Sequence, residues 1–246
     1  MNGHTSVPSR LYQAESVQLD DFKQICSRTI ETFTYPLACA VERNVPIYDL
    51  AVLEARSMTA ETPSLLQDEW HHILHIGPGI FVLNILSATN SAFDRIIAKE
   101  RAYNISKGDH FAAGGINDRI WNAFQKHGEE DLASFLAYYS NPWLATVCNA
   151  WLSPDYRITA QFLTLQGAVA HTGMPADSGP TRFLPFSQTY APGYLAWRRP
   201  DFRAFFQENY VALPLNLGDG IFFSTPQAQI PCPHRTAFAA SQTSYK

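Results

Sequence analysis

Basic residues are scarce in this 246-residue chain, which has 18 lysines and arginines against 22 aspartates and glutamates. The formal net charge of −4 provides no basic field for a phosphate backbone, so nucleic acid is excluded as the expected partner. Hydrophobic residues make up 46% of the chain and charged residues only 16%, which excludes a disordered polymer. We therefore expect one folded domain spanning residues 1–246.

Long apolar runs are also missing. No stretch reaches the roughly 18 residues that a membrane-spanning helix needs, and the richest one, residues 79–86, has the length of a strand. The polar start, residues 1–10, lacks the apolar segment of a secretory signal. These absences predict a cytoplasmic protein with no membrane partner.

Cysteines are few and scattered. Cys26, Cys39, Cys148 and Cys232 show no CxxC spacing, so the sequence indicates neither a zinc ribbon nor a disulfide framework. We expect reduced cysteines with a structural role.

The first half of the chain, about residues 15–152, has the periodicity of helices. Apolar residues recur every three or four positions, which predicts helices at 22–33, 46–53 and 65–75. The run at 80–83 is too short for a helix and predicts a buried strand. Further helices are predicted at 92–100, 117–127, 132–139 and 143–152.

The second half, about residues 156–236, changes to a period of two. Apolar and polar residues alternate from Tyr156 to Gln166, which predicts a strand with Thr164 and Gln166 on one face. No linker separates the two halves, so the predicted fold is α+β, with helices packed on a β-sandwich. Shorter strands are expected at 182–185, 211–215 and 220–223, with a helix at 201–207.

Two histidines on the third predicted helix are candidates for metal binding. His71 and His75 lie one turn apart and share a helix face. The zincin pattern places Glu directly after the first His, but His72 occupies that position here. An amphipathic helix with exposed or partly buried histidines is therefore the simpler interpretation, and a metal hydrolase is the alternative.

A third histidine, His171, ends the alternating strand, and Asp177 follows it in a loop. Because a catalytic metal centre needs at least three protein ligands, a strand-end histidine is the simpler interpretation of His171 on spacing alone. Asp219 lies in the tight turn 217–220, where aspartate usually hydrogen-bonds its own backbone.

Several segments resemble the phytanoyl-CoA dioxygenase family, over about residues 65–236. The most specific run, 163–197, begins LTLQGAVAH and ends PGYLAW, and it includes the similar segments 178–181 and 184–188. The resemblance implies a double-stranded β-helix, a cupin-like jelly roll, that is incomplete and carries an N-terminal helical layer. The other similar segments are 106–111, 117–123, 138–141, 150–152 with Tyr156, and 218–223.

The resemblance also implies a chemistry. Members of the family are oxygenases that depend on Fe(II) and 2-oxoglutarate and that hydroxylate or desaturate small apolar metabolites, and the expected substrate class here is a lipid or a secondary metabolite. Two imidazoles and one carboxylate hold such an iron, and a cation pairs with the far carboxylate of 2-oxoglutarate. An oxidoreductase with these two cofactors and a small-molecule substrate is therefore implied.

The family's motifs carry over incompletely. Its His-x-Asp motif precedes the strand Leu-Thr-Leu-Gln, but Gln161 here runs directly into Phe162, so that segment is missing. The pairs Phe222-Phe223 and Arg235-Thr236 align without a gap with the Phe-Phe and Arg-Thr pairs of the family. In this alignment Gln229 occupies the position of the family's distal histidine, and His234 occupies the position of the Asn before Arg-Thr. The family's 2-oxoglutarate arginine follows Arg-Thr, whereas residues 236–246 contain no Arg.

The remaining candidates follow from this comparison. For the metal they are His171 and His234, and for 2-oxoglutarate they are Thr164, Gln166 and Arg235. Three alternatives stay open beside an active oxygenase: an inactive relative that binds a small molecule or another subunit, an incomplete gene product, and the metal hydrolase. A jelly roll without its missing strands exposes sheet edges, so we expect reduced stability or a second chain that covers them.

Overall fold

The computed structural model describes residues 12–13, 15, 17–31, 33–55, 61–85, 90–103, 118–120, 122–154, 156, 165–175, 180–196, 199–224 and 244–245. The helices of these segments are α1 (Leu19–Cys26), α2 (Leu50–Ala55), α3 (Thr62–His75), α4 (Asn90–Ala102), α5 (Ala123–Glu130), α6 (Leu132–Tyr139), α7 (Pro142–Leu152), α8 (Gly193–Ala196) and α9 (Pro200–Asn209). The strands are β1 (Ala40–Glu42), β2 (Val45–Asp49), β3 (Ile80–Asn84), β4 (Asp118–Arg119), β5 (Leu165–Val169), β6 (Asp219–Ser224) and β7 (Ser244–Tyr245).

A five-stranded sheet organises the described chain. Its strand order is β1-β2-β3-β6-β5, and β4 pairs separately with β7. The neighbours β2 and β3 run parallel, because the chain crosses between them through α2 and α3, and the other neighbours run antiparallel. The two central strands, IFVLN and DGIFFS, are apolar on both faces because both faces of the sheet are covered.

Helices cover one face of the sheet. The apolar stripe of α3 recurs at helical spacing and packs on this face together with α7. Trp70 stacks on Phe81 with ring centroids 5.3 Å apart, and Phe81 stacks on Phe222 at 5.5 Å. This aromatic stack joins the helical layer to the middle of the sheet.

The opposite face is covered by connecting segments. Two isolated bridges, Met174 with Leu215 and Phe183 with Val211, hold these segments together over the sheet. We call the apolar residues buried between them and the sheet the loop-side cluster. Its members are Val45, Ile80, Val82, Ala170, Met174, Phe183, Leu213, Leu215, Ile221 and Phe223, with Ile47, Ala168 and Val211 packed against it.

The prediction of a helix at 46–53 is wrong for its first half. Residues Val45–Asp49 form β2, and only Leu50–Ala55 is helical. Arg43 and Asn44 both have positive φ, which produces the tight hairpin turn between β1 and β2. Val45 and Tyr48 are fully buried, so pairing with β3 decides the conformation against the local helical signal.

Other predicted boundaries also differ. The first helix ends at Cys26, and Phe33, at the end of the predicted stripe, is 77% exposed. The predicted helix at 117–127 begins only at Ala123. The segments predicted as strands at 182–185 and 211–215 are joined to each other by one isolated bridge, between Phe183 and Val211. Of the alternating segment from Tyr156, residues 157–164 lie outside the described residues, and β5 continues it from Leu165 to Val169.

The remaining element predictions are confirmed. Helices occur at 65–75, 92–100, 132–139, 143–152 and 201–207, and strands at 80–83 and 220–223. The described chain is thus a mixed α/β structure, while the closed jelly roll stays a prediction. None of the helices in the described segments has the length and apolar character to cross a membrane.

Candidate functional site

The structure describes only part of the predicted iron and 2-oxoglutarate site. His171 is described with its side chain, and the backbone of Gln166 pairs with Phe223 across β5 and β6. The other candidates lie outside the described residues: Thr164, Asp177, Gln229, His234 and Arg235.

His171 lies two residues after the end of β5, and backbone hydrogen bonds of the preceding residue, Ala170, fix its position. The amide of Ala170 donates to the carbonyl of Asp219 at 2.9 Å, and the amide of Gly218 donates to the carbonyl of Ala170 at 2.8 Å. The side chain of His171 is 2% exposed, and its ring lies 4.6 Å from that of Phe93 on α4 and 6.0 Å from that of Tyr138 on α6. The histidine therefore points into an aromatic environment between the sheet and the helices.

A second buried imidazole, His127, shares this environment, and sequence analysis did not single it out. It lies on α5 with no exposed surface, its ring centroid 4.6 Å from that of Phe93. Its Nε2 hydrogen-bonds the Oγ of Ser134 at 3.0 Å. The sequence around His127 contains no pattern that indicates a site, because the proximity of His127 to His171 depends on the packing of α4 and α5.

Burial sets the charge of both imidazoles. Burial, together with a smaller effect of the charge of a protonated His127, lowers the pKa of His171 to about 3. Burial also lowers the pKa of His127, against the opposing charge of Asp131. Both side chains are therefore neutral at pH 7.

The described donors do not fit an iron(II) triad. Such a centre needs a carboxylate beside two imidazoles, and no three His, Cys, Asp or Glu side chains of the described segments come together around a metal position. The buried carboxylate of Asp219 accepts from Nδ2 of Asn84 at 2.8 Å and from the amide of Asn216 at 2.7 Å. Asp219 thus bonds the backbone of its own turn, as the sequence predicts.

The histidine pair on α3 lies elsewhere. His71 and His75 are exposed, and their ring centroids are 5.7 Å apart. Trp151 of α7 lies beside both, 5.7 Å from the ring of His71 and 6.3 Å from that of His75. The described residues add no third ligand to this pair, so the three-ligand centre of a metal hydrolase is not assembled there.

Two of the described cysteines, Cys26 and Cys148, lie in environments that disfavour reactivity. Cys26, Cys39 and Cys148 are thiols rather than disulfides, and Cys232 lies outside the described residues. Burial raises the pKa of Cys26 to about 12 and that of Cys148 to about 11, which suppresses the nucleophilic thiolate.

Comparison with known proteins identifies the family. The model of the phytanoyl-CoA dioxygenase (PhyH) family matches residues 84–226, more than half of the chain. The matched range extends from the end of β3 to just beyond β6 and includes His127 and His171. No curated protein and no solved structure matches the chain. The chain therefore belongs to the phytanoyl-CoA dioxygenase family, within the superfamily of Fe(II)- and 2-oxoglutarate-dependent oxygenases.

Proposed function

We propose that this chain is a member of the family that does not assemble the iron triad and that acts as a non-catalytic binding protein. The observation that carries the proposal is the apolar packing of the sheet face on which 2-oxoglutarate is expected. Ala168 of β5 packs against the loop-side cluster on this face. By strand alternation, Gln166 and Thr164 are expected on the same face.

The chemistry of this face disfavours a charged occupant. A ferrous ion and the two carboxylates of 2-oxoglutarate require charged or polar partners, since burying an unpaired charge is costly. Around the middle of the sheet the loop-side cluster instead presents aliphatic and aromatic side chains, among them Val82, Ile221 and Phe223. These groups offer no ligand to a metal.

The environment of His171 gives independent support. This predicted ligand packs against Phe93 and Tyr138, and the imidazole that shares the contact with Phe93, His127, hydrogen-bonds Ser134. Two imidazoles without a carboxylate leave a triad incomplete.

The proposed ligand is a small apolar metabolite of the kind that relatives oxidise in secondary metabolism. The segment predicted to be missing between Gln161 and Phe162 is expected to leave a sheet edge uncovered, and a second chain, either a further copy or another subunit, is proposed to cover it. Light scattering on a size-exclusion column tests self-association, and a strictly monomeric protein at all concentrations contradicts the further copy.

Turnover of 2-oxoglutarate tests the loss of catalysis. The protein is incubated with Fe(II), ascorbate and 2-oxoglutarate, with and without an apolar substrate panel, and succinate is measured. We expect background rates, equal to those of the His171→Ala protein. Succinate formation by the unmodified protein that is lost in His171→Ala contradicts the proposal.

The transcript provides a separate check. If it encodes a His-x-Asp segment at the junction of Gln161 and Phe162, the present chain is an incomplete version of an active enzyme. If the transcript matches the chain, the absence of the motif is a property of the protein.

A further inference from the structure

His71 and His75 lie on the exposed face of α3, one helical turn apart. Both precede the range matched by the family model, so the family assigns them no role. Trp151 from α7 packs beside both rings and is itself partly buried against the helical core. The two imidazoles are therefore accessible to solvent but restricted on one side by a fixed indole.

A backbone carbonyl selects the tautomer of His71. Its Nδ1 lies 2.9 Å from the carbonyl oxygen of Ala150. A carbonyl oxygen only accepts, so Nδ1 of His71 carries the proton and donates. In the neutral ring the lone pair then lies on Nε2, which is the arrangement found in metal-binding histidines whose other nitrogen donates to a carbonyl.

The separation of the two rings suits a shared ion. A zinc–nitrogen bond is about 2.05 Å long, and an imidazole nitrogen lies about 1.1 Å from the ring centroid, so each centroid lies about 3.2 Å from the metal. Two imidazoles on one ion therefore have centroids at most about 6.3 Å apart. The observed 5.7 Å lies within this limit. Histidines four residues apart on a helix project to the same side, so the backbone needs no rearrangement.

We propose that His71 and His75 form a surface site for a divalent transition metal ion of the zinc, nickel or copper class. Imidazole nitrogens suit these ions, and water completes the coordination. The ordered His71 ring and the packed Trp151 reduce the conformational freedom lost on binding. With two protein ligands, the site is a binding site and not the three-ligand centre of a hydrolase.

Calorimetric titration with zinc chloride tests the site. We expect one saturable ion per chain, and affinity that falls by about tenfold or more in His71→Ala and separately in His75→Ala. The matched control is His72→Ala, which removes a histidine from the same helix whose Nδ1 hydrogen-bonds the hydroxyl of Tyr35 at 3.0 Å. This control is expected to bind zinc like the unmodified protein.

Three results overturn the proposal: no saturable binding, equal affinity in all four proteins, or a loss in His72→Ala as large as in the other two variants. Copper(II) provides a second readout, because it quenches the fluorescence of an adjacent indole. Quenching is expected to decrease in Trp151→Phe while zinc affinity is kept. Unchanged quenching in that variant places the ion elsewhere and contradicts the site.

Discussion

The ring of His171 packs edge-on against Phe93 with centroids 4.6 Å apart, and the same phenylalanine contacts His127 at 4.6 Å. Two histidines distant in sequence thus meet around one aromatic side chain, between the end of β5 and the helices α4 and α5. In a family whose chemistry depends on imidazoles bound to iron, these imidazoles are neutral components of a packed core.

Their burial predicts a dependence of stability on pH. Burial lowers the pKa of His171 from 6.5 to about 3, so between these values the unfolded chain binds a proton that the folded chain does not. The neutral imidazole of His171 therefore makes its full contribution to the free energy of unfolding above pH 6.5, and this contribution is lost as the pH falls toward 3. Each such group changes the free energy of unfolding by up to about 1.4 kcal/mol per pH unit in this window.

Urea unfolding at a series of pH values measures this effect. The His171→Gln protein lacks the titrating ring, so its free energy of unfolding is expected to fall less steeply on acidification than that of the unmodified protein. Parallel pH profiles for the two proteins contradict the buried neutral state of His171.

Two glycines face the ring of Phe222. A Cβ atom on Gly167 would lie 2.8 Å from Cδ1 of this ring, and one on Gly220 would lie 2.9 Å from Cε2. Because real side chains do not approach so closely, we expect Gly167→Ala to destabilise the protein by roughly 1–3 kcal/mol. Thermal or urea unfolding measures the loss.

The matched control is Gly173→Ala, since an added Cβ there meets nothing within 4 Å. Its free energy of unfolding is expected to stay within about 0.5 kcal/mol of the unmodified value. Replacing the ring by a smaller side chain, with Phe222→Leu in the Gly167→Ala protein, is expected to recover part of the lost free energy of unfolding. Equal effects at Gly167 and Gly173 contradict the close packing of β5 on β6.

A half-buried carboxylate, that of Glu69, links α3 to β2. Glu69 accepts from the hydroxyl of Tyr48 at 2.8 Å and from the amide of Leu37 at 3.0 Å, while burial raises the pKa of Glu69. Tyr48→Phe removes one donor from this carboxylate and is expected to cost about 1–3 kcal/mol of stability. Tyr103→Phe, at a side chain that is 74% exposed, is the control and is expected to be neutral in urea unfolding.

Local signals account for the elements that the sequence predicted well. Helix α6 begins after Asp131, whose carboxylate accepts from the amide of Ser134, and α7 begins after Asn141, which caps the amide of Trp143. Strand β2 was missed because its conformation comes from pairing with β3, a contact that leaves no local pattern.

The candidate site was predictable to a smaller extent. The position of His171 after a strand follows from alternation, and that strand is β5. Its neighbours Phe93, His127 and Tyr138 come from three helices, so their convergence depends on tertiary packing. The family itself was predictable because its motifs survive in the chain, and the family match confirms it.

Anaerobic titration with ferrous iron, performed on the His71→Ala, His75→Ala double variant, separates an internal iron centre from the surface pair. We expect no saturable ferrous site in this protein, with or without 2-oxoglutarate. One tightly bound ferrous ion per chain, strengthened by 2-oxoglutarate and lost in His171→Ala, would contradict the absence of a working triad.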